Sequence, residues 1–440
     1  LKIQGLMQKN TFHLISLGCA KNTVDSNTVA NILQNAGYSF NIDPKQSEYL
    51  IVNTCGFIQS ARDEAVETLQ GLAADKKPGQ FLLAIGCMAE LYSRQILEAC
   101  PEVDGVLGTR KITDILQLIT GVKETDIQLN PVPEEILTSQ FTIQGPAAYL
   151  KIADGCGRYC SFCSIPLIKG SWISRPQADI LADAVRLQEM GIKELILIAQ
   201  DTTAYGIDRG EKDGLPDLIE KILSAAPYIP RIRVLYAFPG FVSDRLIDLL
   251  SNNERVLPYL DIPLQHAHPE VLKRMHRPAD MDWVRKTVAK MRSANPDFAI
   301  RSTFIVGFPN ETEEEFETLY DFLNEMKFDR VGVFSYSFEK GTASAVYGDT
   351  VPEEVKQERL DRLMELQQGI SKEINRKFIG KKLDVLIEGQ QDGLLIGRSY
   401  RDAPDIDGLV FVEGKAKVGD IIKVRIHTAL EYDLIGRRIG

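Results

Sequence analysis

Over the first quarter of the chain, short apolar runs alternate with longer stretches of helical period. FHLISLGC, EYLIVNTCGF and QFLLAIGCMAE read as strands, and SNTVANILQNAGY and ARDEAVETLQGLA between them as amphipathic helices. Alternation of this kind predicts a parallel sheet with covering helices. It loosens over KETDIQLNPVPEEILTSQ, residues 123–140, where proline and charge interrupt the pattern and a linker is expected.

From about Tyr149 the alternation resumes for six units. The strand candidates are AAYLKIA, KELILIA, RIRVLYAF, YLDIPL, AIRSTFIVGF and RVGVFSYS, with helical stretches such as ADILADAVRLQEMG and ETEEEFETLYDFLNEM between them. Six βα units build either an open parallel sheet or a partial barrel, and the pattern alone does not choose. A long amphipathic helix, VPEEVKQERLDRLMELQQGISKEINRKFIG, closes this region at Gly380. Beyond it KLDVLIEG, GLLIGRSY, DGLVFVEG, DIIKVRIHTAL and YDLIGRRI are five short β-prone runs broken by Gly and Asp, which suggests a small antiparallel barrel. The expected organisation is an α/β chain of three domains, residues 1–140, 141–378 and 379–440.

Length agrees, since 440 residues at roughly 150 per domain make about three. A hydrophobic fraction of 44% with 25% charged residues is that of a globular protein, and no apolar run approaches the roughly 18 residues of a membrane span. The stretch LKIQGLMQKN lacks the pattern of a secretory leader, so the expected compartment is the cytoplasm. The charge, 51 basic against 61 acidic residues, tilts against nonspecific attraction to nucleic acid and towards a basic partner.

Seven cysteines, an odd and unevenly grouped number, argue for reduced thiols in metal or catalytic service rather than a disulfide framework. Three lie in DGCGRYCSFCSIP, directly after the strand candidate AAYLKIA: Cys156, Cys160 and Cys163, spaced C-x3-C-x2-C. Thiolates are soft ligands for zinc or iron–sulfur clusters, and either normally takes four when structural. No further Cys or His follows until His266. A zinc site would need a distant fourth ligand, whereas a cubane on three thiolates has one iron open to a substrate or cofactor. Three more, Cys19, Cys55 and Cys87, each fall just past a predicted strand. Strand carboxyl ends of a parallel sheet share one edge, so these thiols are expected to converge. Cys100, at a helix end, is read as structural.

C-x3-C-x2-C after the first strand of a six-unit βα domain resembles the radical S-adenosylmethionine superfamily. The resemblance implies a TIM-like partial barrel whose cluster binds S-adenosylmethionine at its open iron and cleaves it to a radical, so that cofactors carry the hard chemistry. It also implies cofactor contacts at Phe162, Arg175, Gln200, Asp201 and Gln265, and along TFIVGFP, Thr303–Pro309. For each of these residues the alternative is a polar cap or loop contact. With a second cysteine triplet ahead and a small barrel behind, nearly the whole chain is similar to the methylthiotransferases. That family implies two 4Fe-4S clusters, the second delivering sulfur, and a TRAM-like barrel.

Members of the family modify either an adenosine of transfer RNA or the β-carbon of an aspartate in the twelfth protein of the small ribosomal subunit. LGCAKNTVDS, NTCGFIQSA and SYRDAPDIDGLVFV resemble the second branch, and Asp402, Asp405 and Asp407 are candidate substrate-binding residues. From Ile379 onward about ten basic residues face about ten acidic ones, without the basic footprint of an RNA-binding module. The expected partners are a basic ribosomal protein, a reducing electron donor and a sulfur donor, with no membrane. Lys169 stands where the family usually has Arg, and Ser171 is also a position that often differs. A transfer RNA substrate remains the alternative, and a non-catalytic iron–sulfur electron carrier or assembly protein an alternative of another class.

His266, His268 and His276 look like a metal motif but are read as a loop and helix start. In NETEEEFE, Asn310 or Thr312 is expected to cap a helix whose first turn is acidic. No P-loop or Ser-His-Asp arrangement is present.

Overall fold

In the computed structural model, which describes residues 9–123 and 134–440, the first three apolar runs form the middle of a five-stranded sheet. Thr11–Ser16, Tyr49–Thr54 and Phe81–Gly86 pair in parallel, with Ser39–Phe40 beside the first and Gly105–Gly108 beside the third. Tyr49–Thr54 is buried at every position, which is why its sequence is a continuous run rather than an alternation. The two flanking strands, of two and four residues, carry no such signal.

Helices cover both faces. Ala20–Asn35 presents Val29, Ile32 and Leu33 to one side of the sheet, together with Ile115 and Ile119. Ala65 and Leu69 of Gln59–Ala74 pack on the other side with Met88 and Ile96. Each fully buried Leu or Ile contributes roughly 1.5–3 kcal/mol, so these faces hold the helices whose ends build the site. Of the expected linker, residues 124–133 lie outside the described residues, and Glu134–Thr138 is a short helix.

All six central strand candidates form strands: Ala147–Lys151, Glu194–Ile198, Arg231–Val234, Tyr259–Asp261, Ala299–Val306 and Arg330–Ser335. The first three pair in parallel in chain order, as do the last three. Between the sets Leu257 N donates to Ile232 O (2.8 Å) and Ala237 N to Asp261 O (2.9 Å). Six parallel strands in sequential order are a partial barrel, which settles the choice the pattern left open. Thr312 caps Glu313–Met326 through a reciprocal capping box with Glu315. The long helix runs Glu353–Arg376, and Gly380 follows it with φ +87°.

The last five runs close into a barrel of Lys382–Gln391, Leu394–Arg398, Val410–Glu413, Leu434–Arg438 and Ile421–Ala429. It is not antiparallel throughout, because Val410–Glu413 and Leu434–Arg438 run parallel. Five strands force this: an odd ring cannot alternate direction all the way round. By packing the chain makes two compact units. One holds the described residues up to Thr142 with Asp154–Arg158 and Cys163–Ile173; the other holds Ile143–Ala153, Tyr159–Phe162 and Ser174–Gly440.

Within the second unit the barrel is fastened to the amino-terminal ends of the central strands by buried ions. Glu194, first residue of its strand, accepts from Arg233 (2.6 Å) and from Arg398 of the barrel (3.1 Å), and all three are at most 1% exposed. Burial would raise the Glu194 carboxyl, but Arg233, Arg398 and Arg231 overcome it and bring it down to about 2. The loop expected to face substrate is part of this fastening. Asp402 pairs with Arg330 at 2.7 Å, and Asp407 accepts from the Tyr259 hydroxyl (2.7 Å) and the Ala403 amide (2.9 Å). Both carboxylates are buried, so they are corrected from substrate contacts to anchors; unpaired, they would cost far more to bury than to leave in water. Asp405 is exposed, with φ +65°, and is held by the Gln144 amide at 2.8 Å. Among the described residues no helix is long and apolar enough to cross a membrane.

Candidate cluster site

Cys19, Cys55 and Cys87 each follow a strand of the five-stranded parallel sheet. Cys19 lies three residues after Ser16 and is the N-cap of Ala20–Asn35; Cys55 follows Thr54 directly; Cys87 follows Gly86. Strand carboxyl ends and helix amino ends meet on this edge, where backbone N–H groups favour anionic ligands.

The backbones approach too closely for side chains. Gly18 has φ +86°, and a Cβ there would lie 2.8 Å from Cys55 Cβ and 2.9 Å from its sulfur. A Cβ on Gly56 would lie 2.7 Å from Met88 Cα. Glycine beside Cys19 and beside Cys55 is therefore a requirement of bringing the thiols together. Asn22 braces the edge: its amide donates to Leu17 O (2.6 Å) and Asn53 O (3.1 Å), and its Oδ1 lies 3.9 Å from Cys87 Sγ.

The thiols sense one another. Burial pushes Cys87 up to about 12; Lys169 pulls it back, while Cys19, Asp25 and Cys55 add to the rise. Burial also raises Cys55, with Cys19 contributing. Among the described residues no three His, Cys, Asp or Glu side chains gather as ligands of a single metal ion. A cubane binds one thiolate per iron, so its ligands stand around a body rather than on a point. Cys19, Cys55 and Cys87 share one sheet edge and stand near enough for Cys19 to raise the pKa of the other two, an arrangement compatible with ligands set around a cluster body.

Lys169 is the residue sequence reasoning undervalued. Its ammonium lies 2.8 Å from Asp25 Oδ2 and 3.3 Å from Asp154 Oδ2, and its side chain is 3% exposed. Burial disfavours the charge, but Asp25 and Asp154 more than offset this and hold its pKa above the ordinary value. Asp25 sits in the stretch LGCAKNTVDS, where nothing in the sequence marks Lys169, 144 residues later, as its partner. Arg110 secures the same turn by donating to Ile168 O (2.8 Å) and Leu167 O (2.6 Å).

The motif loop leaves the strand Ala147–Lys151 at its carboxyl end. In the first unit, Cys156 N donates to Gly170 O at 2.9 Å, and Gly157 lies against the Trp172 ring, where a Cβ would come within 2.6 Å. Ser164, next to Cys163, donates to Phe57 O at 3.3 Å. In the second unit, Cys160 is flanked by Tyr159 and Ser161, which the turn after helix Pro269–Arg274 holds in place. Ser161 N and Oγ donate to Met275 O (2.9 Å) and Arg274 O (2.7 Å), and His276 Nδ1 lies 3.1 Å from Tyr159 O. The histidines thus serve structure: His268 caps that helix, accepting from Glu270 N.

The candidate cofactor residues divide. Phe162 packs on Val271, Met275, Phe308 and Tyr336. Gln265 has φ +75°, its amide donating to Thr303 O and its carbonyl accepting from Ile305 N, both 2.8 Å, so it is laid beside the TFIVGFP stretch. Strained backbone of this kind at a strand's carboxyl end is a mark of functional positions. Gln200 is half-buried two residues past Ile198. Asp201 is buried and accepts from Thr203 Oγ1 at 2.5 Å. Arg175 differs from expectation: its guanidinium is buried and donates to Lys151 O (2.6 Å) and Asp183 Oδ2 (2.8 Å). It fastens strand Ala147–Lys151 to helix Gln177–Glu189, so it is corrected from a cofactor contact to a structural one.

Residues 11–108 match the model described as Uncharacterized protein family UPF0004, 150–323 the Radical SAM superfamily, and 379–439 the TRAM domain. The chain is 43% identical to "Ribosomal protein uS12 methylthiotransferase RimO" of Roseiflexus sp. (strain RS-1), over 97% of both chains. To the protein of the same name from Thermoanaerobacter sp. (strain X514) it is 44% identical, over 96% of this chain and 98% of that one. Among solved structures, the radical S-adenosylmethionine methyltransferase TsrM from Kitasatospora setae, with cobalamin and a [4Fe-4S] cluster bound, superposes with a TM-score of 0.57. At 13% identity over 88% of this chain and 81% of that one, it shares the fold.

Proposed function

The chain belongs to the ribosomal protein uS12 methylthiotransferase RimO family of the Radical SAM superfamily, and on that premise we propose that Cys156, Cys160 and Cys163 hold one 4Fe-4S cluster and Cys19, Cys55 and Cys87 a second. It is an S-adenosylmethionine-dependent methylthiotransferase acting on ribosomal protein uS12. In this reading the modified atom is the β-carbon of an aspartate.

The observation that carries the assignment is the convergence of three thiols on one sheet edge in addition to the motif loop. A radical enzyme needs one open cluster, and a second is wanted where sulfur must also be delivered. When bound, the clusters and S-adenosylmethionine supply the radical hydrogen abstraction and the methylthio group. The chain's part is to bind and orient. Gly18 and Gly56 let the backbones of the second site close together, and Lys169 with Asp25 fixes the turn after Cys163. Gln200, Gln265 and the Thr303–Pro309 stretch hold the cofactor at the strand ends, with Phe162 beside them. The reductant, the sulfur donor and a cytoplasmic location belong to the same proposal; the near-neutral barrel suits a basic protein better than RNA.

The test is anaerobic reconstitution, then incubation with S-adenosylmethionine, a reductant and sulfide, offering a uS12 peptide and transfer RNA together. Mass spectrometry should find the methylthio group on the peptide's aspartate. Modification of RNA alone would overturn the substrate, and failure to cleave S-adenosylmethionine would favour an electron carrier.

A further inference from the structure

Arg277 lies in RMHRP, a stretch whose histidines serve the loop and helix start. Arg277 is buried, 8% exposed, yet it makes no ion pair with a carboxylate among the described residues. Instead Nη1 donates to Cys160 Sγ at 3.6 Å, Nη2 donates to Pro263 O, and the guanidinium carbon lies 4.1 Å from the centre of the Phe238 ring. Nε is buried without a hydrogen-bond partner. A buried cation with no anion beside it is costly, and proteins tolerate one where something supplies negative charge. The group it touches is a thiol that becomes a thiolate on ligating iron.

The surrounding geometry aims the cation. Arg277 N donates to Leu272 O at 2.8 Å, and the residues just before Arg277 bind Tyr159 and Ser161, on either side of Cys160. His276 adopts φ +55° to make this turn, a conformation a non-glycine residue takes only when its surroundings fix it. The aromatic face below the guanidinium gives a further electrostatic attraction without neutralising its charge.

We propose that Arg277 is a positioning residue for the cluster ligated by Cys160, and that its charge-assisted hydrogen bond to the sulfur holds that cluster's reduction potential up. Hydrogen bonds to the sulfurs and net charge are the protein's levers on such potentials. A fixed positive charge favours the state with one more electron, so removing it makes the cluster harder to reduce. The inference rests on the assignment of Cys160 as a ligand.

The test is a redox titration of the reconstituted full-length enzyme, following the electron paramagnetic resonance signal that S-adenosylmethionine perturbs. Arg277→Met and Arg277→Gln should lower its midpoint, changing the reduced-to-oxidised ratio at fixed potential about tenfold, or about 59 mV for one electron. Arg277→Lys should keep most of the wild-type value. An unchanged midpoint in all three overturns the proposal, and so does a Lys variant shifted as far as Met, because charge would then not be the cause. Should Met not hold its cluster, Gln and Lys decide by the same criterion. Cys160→Ala separates the two claims: if the signal survives it, the ligand assignment has failed rather than the role of Arg277.

Discussion

Lys169 Nζ lies 2.8 Å from Asp25 Oδ2 with both side chains 3% exposed, and so a residue six positions after Cys163 is tied to one six positions after Cys19. The pair joins the turn that follows the motif loop to the helix that starts at the second thiol site.

Lys169→Met therefore leaves Asp25 buried without its cation. We expect a loss of roughly 3–5 kcal/mol, measured by denaturant unfolding of the metal-free chain. Lys169→Met with Asp25→Asn should cost less than the two single changes added together. Additivity would mean that the pair is not coupled.

Gly18→Ala places a Cβ against Cys55 on a backbone of φ +86°. Left-handed conformation alone costs an L-residue about 1–2 kcal/mol, and the clash adds to it. The second thiol site is the part disturbed, so iron after reconstitution should fall from about eight per chain towards about four, with S-adenosylmethionine cleavage retained. Cys19→Ala, Cys55→Ala and Cys87→Ala combined should give the same iron value. Eight irons in that triple variant would remove the second cluster from these residues.

The acid response has a definite sign. Burial opposes the charge on Glu194, Arg233, Arg398 and Arg231 win, and the folded carboxyl titrates near 2 against an ordinary value of 4.5. Its contribution to stability is thus complete above about 4.5 and lost as pH falls through about 2. Glu194→Gln should destabilise at neutral pH and flatten the fall in stability over that window. Equal slopes for the two proteins by urea unfolding at pH 5 and 3 would contradict the assignment.

Asp402 and Asp405 separate anchoring from recognition. Asp402→Ala strands Arg330 in the interior and should cost roughly 3–5 kcal/mol. Asp405→Ala, on an exposed turn, should cost about 1 kcal/mol or less and raise the KM for the peptide. An unchanged KM with intact stability would remove Asp405 from the substrate contacts.

Much of this was legible in the sequence because burial on both faces writes continuous apolar runs. Ala147–Lys151 and Glu194–Ile198 announce themselves that way, barrel strands such as Ile421–Ala429 by alternation instead, and the cysteines mark strand ends by position. The strands Ser39–Phe40 and Gly105–Gly108 are too short to show a period. Asp402 and Asp407 misled for a different reason: composition reports a charge but not its partner, and Arg330 and Tyr259 lie many residues earlier. Arg175, Lys169 and Arg277 were opaque likewise, since what an ion does depends on which group it faces after folding.

The closed ring of the carboxyl-terminal barrel limits how a protein substrate is read. Every strand there is hydrogen-bonded on both sides, so the ring offers no free row of amides and carbonyls to which a peptide could add as another strand. Whatever the barrel contributes to choosing its client must come from outward side chains and connecting loops, a surface that substitutions can re-letter without disturbing the backbone beneath.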